Sequence, residues 1–395
     1  MRPVIAISAL IGAAFMGSTL VSPLWGLFQR KFGFSEITLT LIYAAYVVGN
    51  LAALLFFGRL SDQLGRRKIG VPAVAIAIVA SCLFMFAGSE SWLYFARALS
   101  GFAVGMASGT GTAWLAEIYG ESQRGPATVM ATVANQIGIA IGPLIAGILA
   151  QYGPMPLELP FIAYIVVLIA TGLAVHAWPP ETVPSPVRGL GDLELRPRVG
   201  VPHEIRLQFI APVVTAFAIF ALTGFYYALL PSVLKNALHV GNVAVAGAVI
   251  FEMISITIAV LLLARDLSSR AAMFLALFLI FPSAALLVLT QSLHSMAILL
   301  AAGAFTGSTL ALGYRGSLQV VNEIAPNDRR AEVVSAYLIA CFAGNSIPVI
   351  GVATLAAYTN LLTASVAFAA VLAAMSVGAL TAGTLTSRRV FASRS

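Results

Sequence analysis

Gly58-Arg59-Leu60-Ser61-Asp62-Gln63-Leu64-Gly65-Arg66-Arg67-Lys68 is a polar, strongly basic stretch set between two long apolar runs, 36–57 and 70–88. Gly58 and Gly65 permit a tight turn and a close approach between neighbouring backbones. Asp62 is suited to accept from backbone N–H groups at a helix start or to pair with a nearby arginine. The cluster of Arg59, Arg66, Arg67 and Lys68 puts positive charge directly outside an apolar run. Charge so placed holds a loop on the cytoplasmic side of a membrane. An apolar run of about 20 residues is long enough to cross a bilayer as a helix.

The same pattern extends over the whole chain. Of 395 residues, 60% are hydrophobic and only 9% charged, whereas a soluble domain carries roughly 25% charged residues. Twelve apolar runs predict twelve spans: 4–28, 36–57, 70–88, 92–115, 127–150 and 160–178, then 209–232, 241–263, 271–290, 295–320, 333–355 and 362–386. Segments of about 10 residues with alternating polarity, the mark of a membrane β-barrel, are absent from the sequence. The first run is too long for a signal-peptide core of about 7–15 residues and is read as a retained span.

The net charge of +7 is no nucleic-acid footprint, because the bases are spread over short loops and form no stripe with interleaved aromatics. Cys82 and Cys341 both lie inside apolar runs, so neither a disulfide framework nor a metal site is expected, and no cofactor is implied. With the N-terminus inside, 17 of the 22 Lys and Arg fall in inside loops, while Arg30, Lys31 and Lys235 fall outside and Arg97 and Arg315 lie within spans. This bias predicts both termini in the cytoplasm of a multi-pass protein of the cell (inner) membrane.

The inside loop 179–208 differs from the others in its repeated prolines and glycines, from Pro179 to Pro202. It reads as a linker between an N-terminal six-helix bundle, 1–178, and a C-terminal one, 209–395. The halves also repeat. A shift of 206 positions carries Gly101 onto Gly307, Glu117 onto Glu323, Arg124 onto Arg330 and Gly138 onto Gly344. Parallel repeats of six spans are a known transporter plan.

The loop quoted above resembles the signature loop of the major facilitator superfamily, G-x-L-[AS]-D-[RK]-x-G-R-[RK]. Gly58, Leu60, Ser61, Asp62, Gly65, Arg66 and Arg67 fit, and Gln63 departs. Arg97 followed by Gly101 matches a feature of the family's fourth helix, and the glycines at 101, 105 and 109 line one helical face. Gly138, Gly142, Pro143 and Gly147 resemble the family's antiporter motif, with Ala146 in place of one glycine. The resemblance implies an all-α membrane protein of 12 transmembrane helices in two pseudo-symmetric six-helix bundles. It further implies that the loop of Gly58, Asp62, Gly65, Arg66 and Arg67 acts as a conformational latch between the halves. In physical terms the loop can also be read as a topogenic element alone, and the proline motif as a packing kink.

Three charges are embedded in spans: Arg97, Glu252 and Arg315. Such residues are costly in a bilayer and mark function by default. By the resemblance, all three fall on helices that line or flank a central cavity. Asn135, Gln136, Tyr226, Tyr227 and Asn345 join them as substrate or proton-pathway candidates, and Asn50, Trp114 and Tyr314 as further polar groups of the spans. Desolvation at Glu252 would favour its protonated form, which suits a proton carrier. A static ion pair with Arg97 or Arg315 is the alternative, and a lipid-facing idle acid the third.

No phosphate-binding loop or catalytic triad is visible, so the chain is expected to be no enzyme and to draw on an ion gradient. The expected activity is alternating-access transport of a small organic solute, with the proton as coupling ion and export as the direction. The runner-up is import of a small organic anion, suited by two arginines against one glutamate. A non-transporting sensor or assembly partner is the reading from another class. The expected partners are a small-molecule substrate and membrane lipid, and the expected state is a monomer.

Overall fold

In lipid every backbone N–H and C=O must find a partner within the chain, and an apolar run does so by closing a helix on itself. The structure, a computed structural model, describes residues 1–57, 60–183 and 199–392, with the side chains of 121, 124 and 385–392 outside the description. Gly58, Arg59 and half of the predicted linker, residues 184–198, therefore lie outside the described residues. What is described is all helical in its regular structure.

Twelve long helices follow in chain order. They are α1 (Arg2–Phe32), α2 (Glu36–Phe56), α3 (Arg66–Met85), α4 (Glu90–Tyr119), α5 (Arg124–Tyr152) and α6 (Leu159–Ala177), then α7 (Arg206–Asn236), α8 (Val243–Leu263), α9 (Ser269–Leu293), α10 (Met296–Ile324), α11 (Arg330–Tyr358) and α12 (Leu361–Ala392). One 3-10 turn, Ser22–Leu24, interrupts α1. Among the described residues, eleven of these are long and apolar enough to cross a membrane. The twelfth is α4, whose 30 residues include Arg97 and many small or hydroxylic side chains, so its apolar character is weaker.

Polar turns end the helices. Ser35 accepts from the Thr38 N–H at 3.1 Å to cap α2, and Ser268 and Ser295 cap α9 and α10 in the same way. Gly65, at φ +112°, makes the sharp turn into α3 that a side chain would strain.

The chain divides into two compact units, Met1–Pro197 with Asn242–Phe251, and Arg198–Gly241 with Glu252–Ser395. In the first, α1 packs against α5, α4 and α6, while α2 lies along α4 and α3 along α4 and α6. In the second, α7 packs against α10, α11 and α12, and α9 against α10 and α12.

The internal repeat is visible in how helices touch. Gly138 of α5 lies on the Gly12 carbonyl of α1, and its counterpart Gly344 of α11 lies on the Phe217 carbonyl of α7. Gly101 of α4 lies on the Tyr46 carbonyl of α2, and its counterpart Gly307 of α10 on the Met253 carbonyl of α8. Each site brings two helix backbones together where no side chain fits, the packing that small residues make possible in membranes.

Candidate functional site

The signature loop is organised around Arg66, at the first turn of α3. Its guanidinium donates through Nη1 to Ser61 Oγ at 2.7 Å, pairs with Asp62 one turn back, and grips Glu117 of α4 with both Nε, at 3.1 Å, and Nη2, at 2.5 Å. The fork of an arginine is suited to this two-point hold on a carboxylate. Glu117 also accepts from Thr182.

Glu181, just past α6, was not among the residues singled out from the sequence. Its two oxygens accept from the backbone N–H groups of Arg66 at 2.8 Å and Arg67 at 3.0 Å, so it caps the start of α3. A Cβ on Gly65 would stand 2.9 Å from Glu181 Oε2, a second reason for glycine there. Burial alone would push the Glu181 carboxyl up, but the N–H groups of Arg66, Arg67, Val183 and Thr182 outweigh it and hold it below the ordinary carboxylate range. Arg67 donates to the Pro179 carbonyl at 2.5 Å and Trp114 to the Pro180 carbonyl at 3.0 Å. The described partners of Asp62, Arg66 and Arg67 thus tie α3 to α4 and to the segment after α6, all in the first unit. A carboxylate 115 residues away leaves no local pattern in the sequence.

Arg97 is 1% exposed. Its guanidinium donates to the Ser18 carbonyl of α1 at 2.9 Å and stands over the rings of Tyr46, Tyr43 and Trp25 at 4.6, 5.4 and 5.8 Å. Arg97 is therefore inside the first bundle, enclosed by aromatic faces that offset part of its desolvation. Spacings of 18 and 25 on α1 and 43 and 46 on α2 put those groups on single helical faces, a signal legible in the sequence once Arg97 is taken as their focus.

Glu252 of α8 lies against α10. A Cβ on Gly303 would stand 2.6 Å from its Oε2, which is buried and has no hydrogen-bond partner. Tyr226 of α7, 1% exposed, is within electrostatic reach of Glu252, and its hydroxyl and that of Thr306 on α10 are buried without a well-formed hydrogen bond. Arg315 is not Glu252's partner. It donates to the carbonyls of Ala264, Arg265 and Leu267, covering the C-terminal end of α8, where cations are favoured.

The antiporter-like motif splits its contacts. Gly138 and Gly142 lie on the carbonyls of Gly12 and Met16 of α1. Gly147 meets Ala244, and the Pro143 carbonyl meets Gly247, both at the start of α8 within the first unit. Gln151 Oε1 accepts from the Val243 N–H at 2.8 Å in the same place.

Asn135 and Gln136 are half-buried on α5, with Asn135 Oδ1 buried and unbonded. Asn345 is buried on α11 with its backbone carbonyl against Gly224, and Tyr227 is half-buried on α7. Tyr314 packs on Phe220 and Tyr337. Within the first unit, a void among Leu10, Val74, Val104 and Tyr164 measures about 10 Å³, room for one water molecule and too little for a substrate.

Comparison with known proteins places this arrangement. The chain is 29% identical over 161 residues to "Multidrug resistance protein 2" of Bacillus subtilis, a match covering 40% of each. It is 30% identical over 147 residues to "Probable drug/proton antiporter YHK8" of Saccharomyces cerevisiae, 36% of this chain and 29% of that one. The matched segments thus span well under half of either relative. A crystal structure of a bacterial homologue of the human lysosomal transporter Spinster, in an inward-facing and unoccupied conformation, shares the fold with a TM-score of 0.68 over 97% of this chain and 94% of that one, at 15% identity. The family model of the Major Facilitator Superfamily matches residues 7–349. A helical membrane fold that repeats itself at this length, its signature loop and that match lead to one conclusion: the chain belongs to the Major Facilitator Superfamily, a family of transporters rather than enzymes.

Proposed function

We propose that the protein exports small, partly apolar organic molecules in exchange for protons, by alternating access between a six-helix bundle of residues 1–178 and another of residues 209–395 joined by the linker 179–208. The observation that carries this reading is Glu252. It is an acid within α8, its Oε2 is buried without a hydrogen-bond partner, and Arg315 of the same unit is engaged elsewhere. A carboxyl so placed exchanges a proton rather than forming a permanent ion pair, and the embedded acid is the natural coupling group of a proton-driven carrier. The names of the two relatives support export and proton coupling. In this reading Tyr226, Asn135, Gln136, Tyr227 and Asn345 contribute to the pathway, the Asp62–Arg66–Glu117 network holds one conformational state, and the protein acts as a lipid-embedded monomer. Both termini face the cytoplasm of the cell membrane.

A second reading, import of a small organic anion, is favoured by Arg97, a permanent cation within the first bundle whose Nε–H is buried without a hydrogen-bond partner.

The test is transport by the full chain in proteoliposomes, with a panel of amphipathic dyes and small carboxylates, with and without a pH gradient. Glu252→Gln mimics the protonated acid. The export reading expects gradient-driven dye movement to stop while exchange of dye for dye survives. Gradient-driven carboxylate uptake would establish the second reading, and absence of flux for any solute would leave a sensor. Unchanged pH-dependent transport in Glu252→Gln would remove Glu252 from the mechanism. Separately, labelling of Asp192→Cys from outside intact cells would overturn the topology.

A further inference from the structure

The two bundles share glycines but differ one helical turn away from them. On α4, Arg97 precedes Gly101 by four residues; on α10, Gly303 precedes Gly307 by four. Gly101 and Gly307 occupy equivalent seats, on the Tyr46 carbonyl of α2 and the Met253 carbonyl of α8. The position one turn earlier is therefore equivalent as well. In the first bundle it holds the Arg97 guanidinium over Tyr46. In the second it holds no side chain, and the place where a Cβ would stand is 2.6 Å from Glu252 Oε2. The acid of one bundle thus reaches the place that the first side-chain carbon of the arginine takes in the other.

Glu252 as a whole is half-buried, and Oε2 is the oxygen that is buried without a hydrogen-bond partner. Met253 Cβ is the next nearest group to the missing Cβ of Gly303. From α7, Tyr226 is the titratable group within electrostatic reach of Glu252. On α8 itself there is no other charged residue. On α10, Arg315 is directed to the end of α8 and Glu323 accepts from Ser269.

We infer that Gly303 is a positioning residue for Glu252, seating Oε2 of its carboxyl against the bare backbone of α10, without a hydrogen-bond partner among the described residues, and so setting the pH at which this acid takes up and releases its proton. Its significance for transport rests on the proton-coupling reading above, but the seating does not. A carboxyl confined without partners resists ionisation, and one moved towards water or a donor does not. A methyl group at position 303 displaces Oε2 from that seat. Gly303→Ser displaces it and adds a hydroxyl donor. Glu252→Asp withdraws the carboxyl by one methylene and leaves α10 untouched, which keeps the test open if a change at 303 disturbs folding.

The experiment is infrared titration of the full chain in lipid, following the protonated-carboxyl band that disappears in Glu252→Gln. This readout needs no transported solute, and a helix-packing role for Gly303 would not move it. We expect the titration midpoint to fall by about one pH unit in Gly303→Ala, Gly303→Ser and Glu252→Asp. A midpoint unchanged in folded Gly303→Ala, or in Glu252→Asp, would overturn the inference. A shifted band together with transport that ignores pH would instead overturn proton coupling and leave the role of Gly303 standing.

Discussion

Arg66→Lys keeps the charge of the network hub and removes its geometry. Arg66 is 6% exposed and makes four distinct engagements: Ser61 at 2.7 Å, the Asp62 pair, and Glu117 through two nitrogens. A lysine offers one ammonium in place of the fork and cannot reach Ser61 and both oxygens of Glu117 together. The variant therefore loses about two charge-assisted hydrogen bonds, each worth about 1.5–3 kcal/mol at full burial. The carboxylates are partly solvated, Asp62 at 53% and Glu117 at 35% exposure. Water takes over part of the lost bonding, so the net cost falls to about 1–3 kcal/mol. For a bundle of this size that lowers Tm by about 5 °C. The assay is thermal unfolding in detergent of Arg66→Lys, Glu117→Gln and the double variant. Because the two groups share their bonds, the double variant should lose less than the sum of the singles. Additive losses, or Arg66→Lys within about 1 °C of the parent, would refute the argument that the fork geometry holds α3 to α4.

Glu181→Gln weakens the cap of α3 by about 0.5–1 kcal/mol, the low end for a cap because Glu181 is exposed. Since the folded-state carboxyl lies below its ordinary value of 4.5, the stabilisation is fully present above that pH and fades as pH falls through the folded value. The gap in Tm between parent and variant should accordingly narrow below about pH 4.5, and a gap independent of pH would contradict the cap. Gly138→Ala puts a methyl on the Gly12 carbonyl and Gly344→Ala one on the Phe217 carbonyl, each costing about 1–3 kcal/mol, whereas Gly109→Ala meets nothing within 4 Å and gains up to about 1 kcal/mol of helix propensity; the order of the three melting temperatures checks this. Arg97→Lys loses the planar contact with three rings and about 1–2 kcal/mol, measured by unfolding against Trp25→Phe, which should cost less.

The sequence alone determined the helices and the repeat, because both rest on local quantities. A run such as 36–57 must be helical in lipid whatever lies beside it, and α2 from Glu36 to Phe56 follows it closely. Glycines 101 and 138 pointed to close contacts because small residues along one helical face let backbones approach, and their repeat-equivalents 307 and 344 sit in the same way. The loop around Asp62 and Arg66 was legible for the same reason, since its turn and charges are contiguous. Partners were a different matter. Glu117 stood out in the sequence only as a repeat-equivalent of Glu323, yet it is held by Arg66, 51 residues earlier in the chain. Arg97 read from the sequence as a charge embedded in a span, and only the packing of α1 and α2 against α4 encloses it among Trp25, Tyr43 and Tyr46. Arg315 and Glu252 read as possible ion-pair partners from their presence in neighbouring spans. The fold sends one to the end of α8 and the other against Gly303. Hydropathy is summed along a helix and survives any rotation of it, whereas a pairing depends on which way each helix faces its neighbours, and that orientation exists only once the bundle has packed.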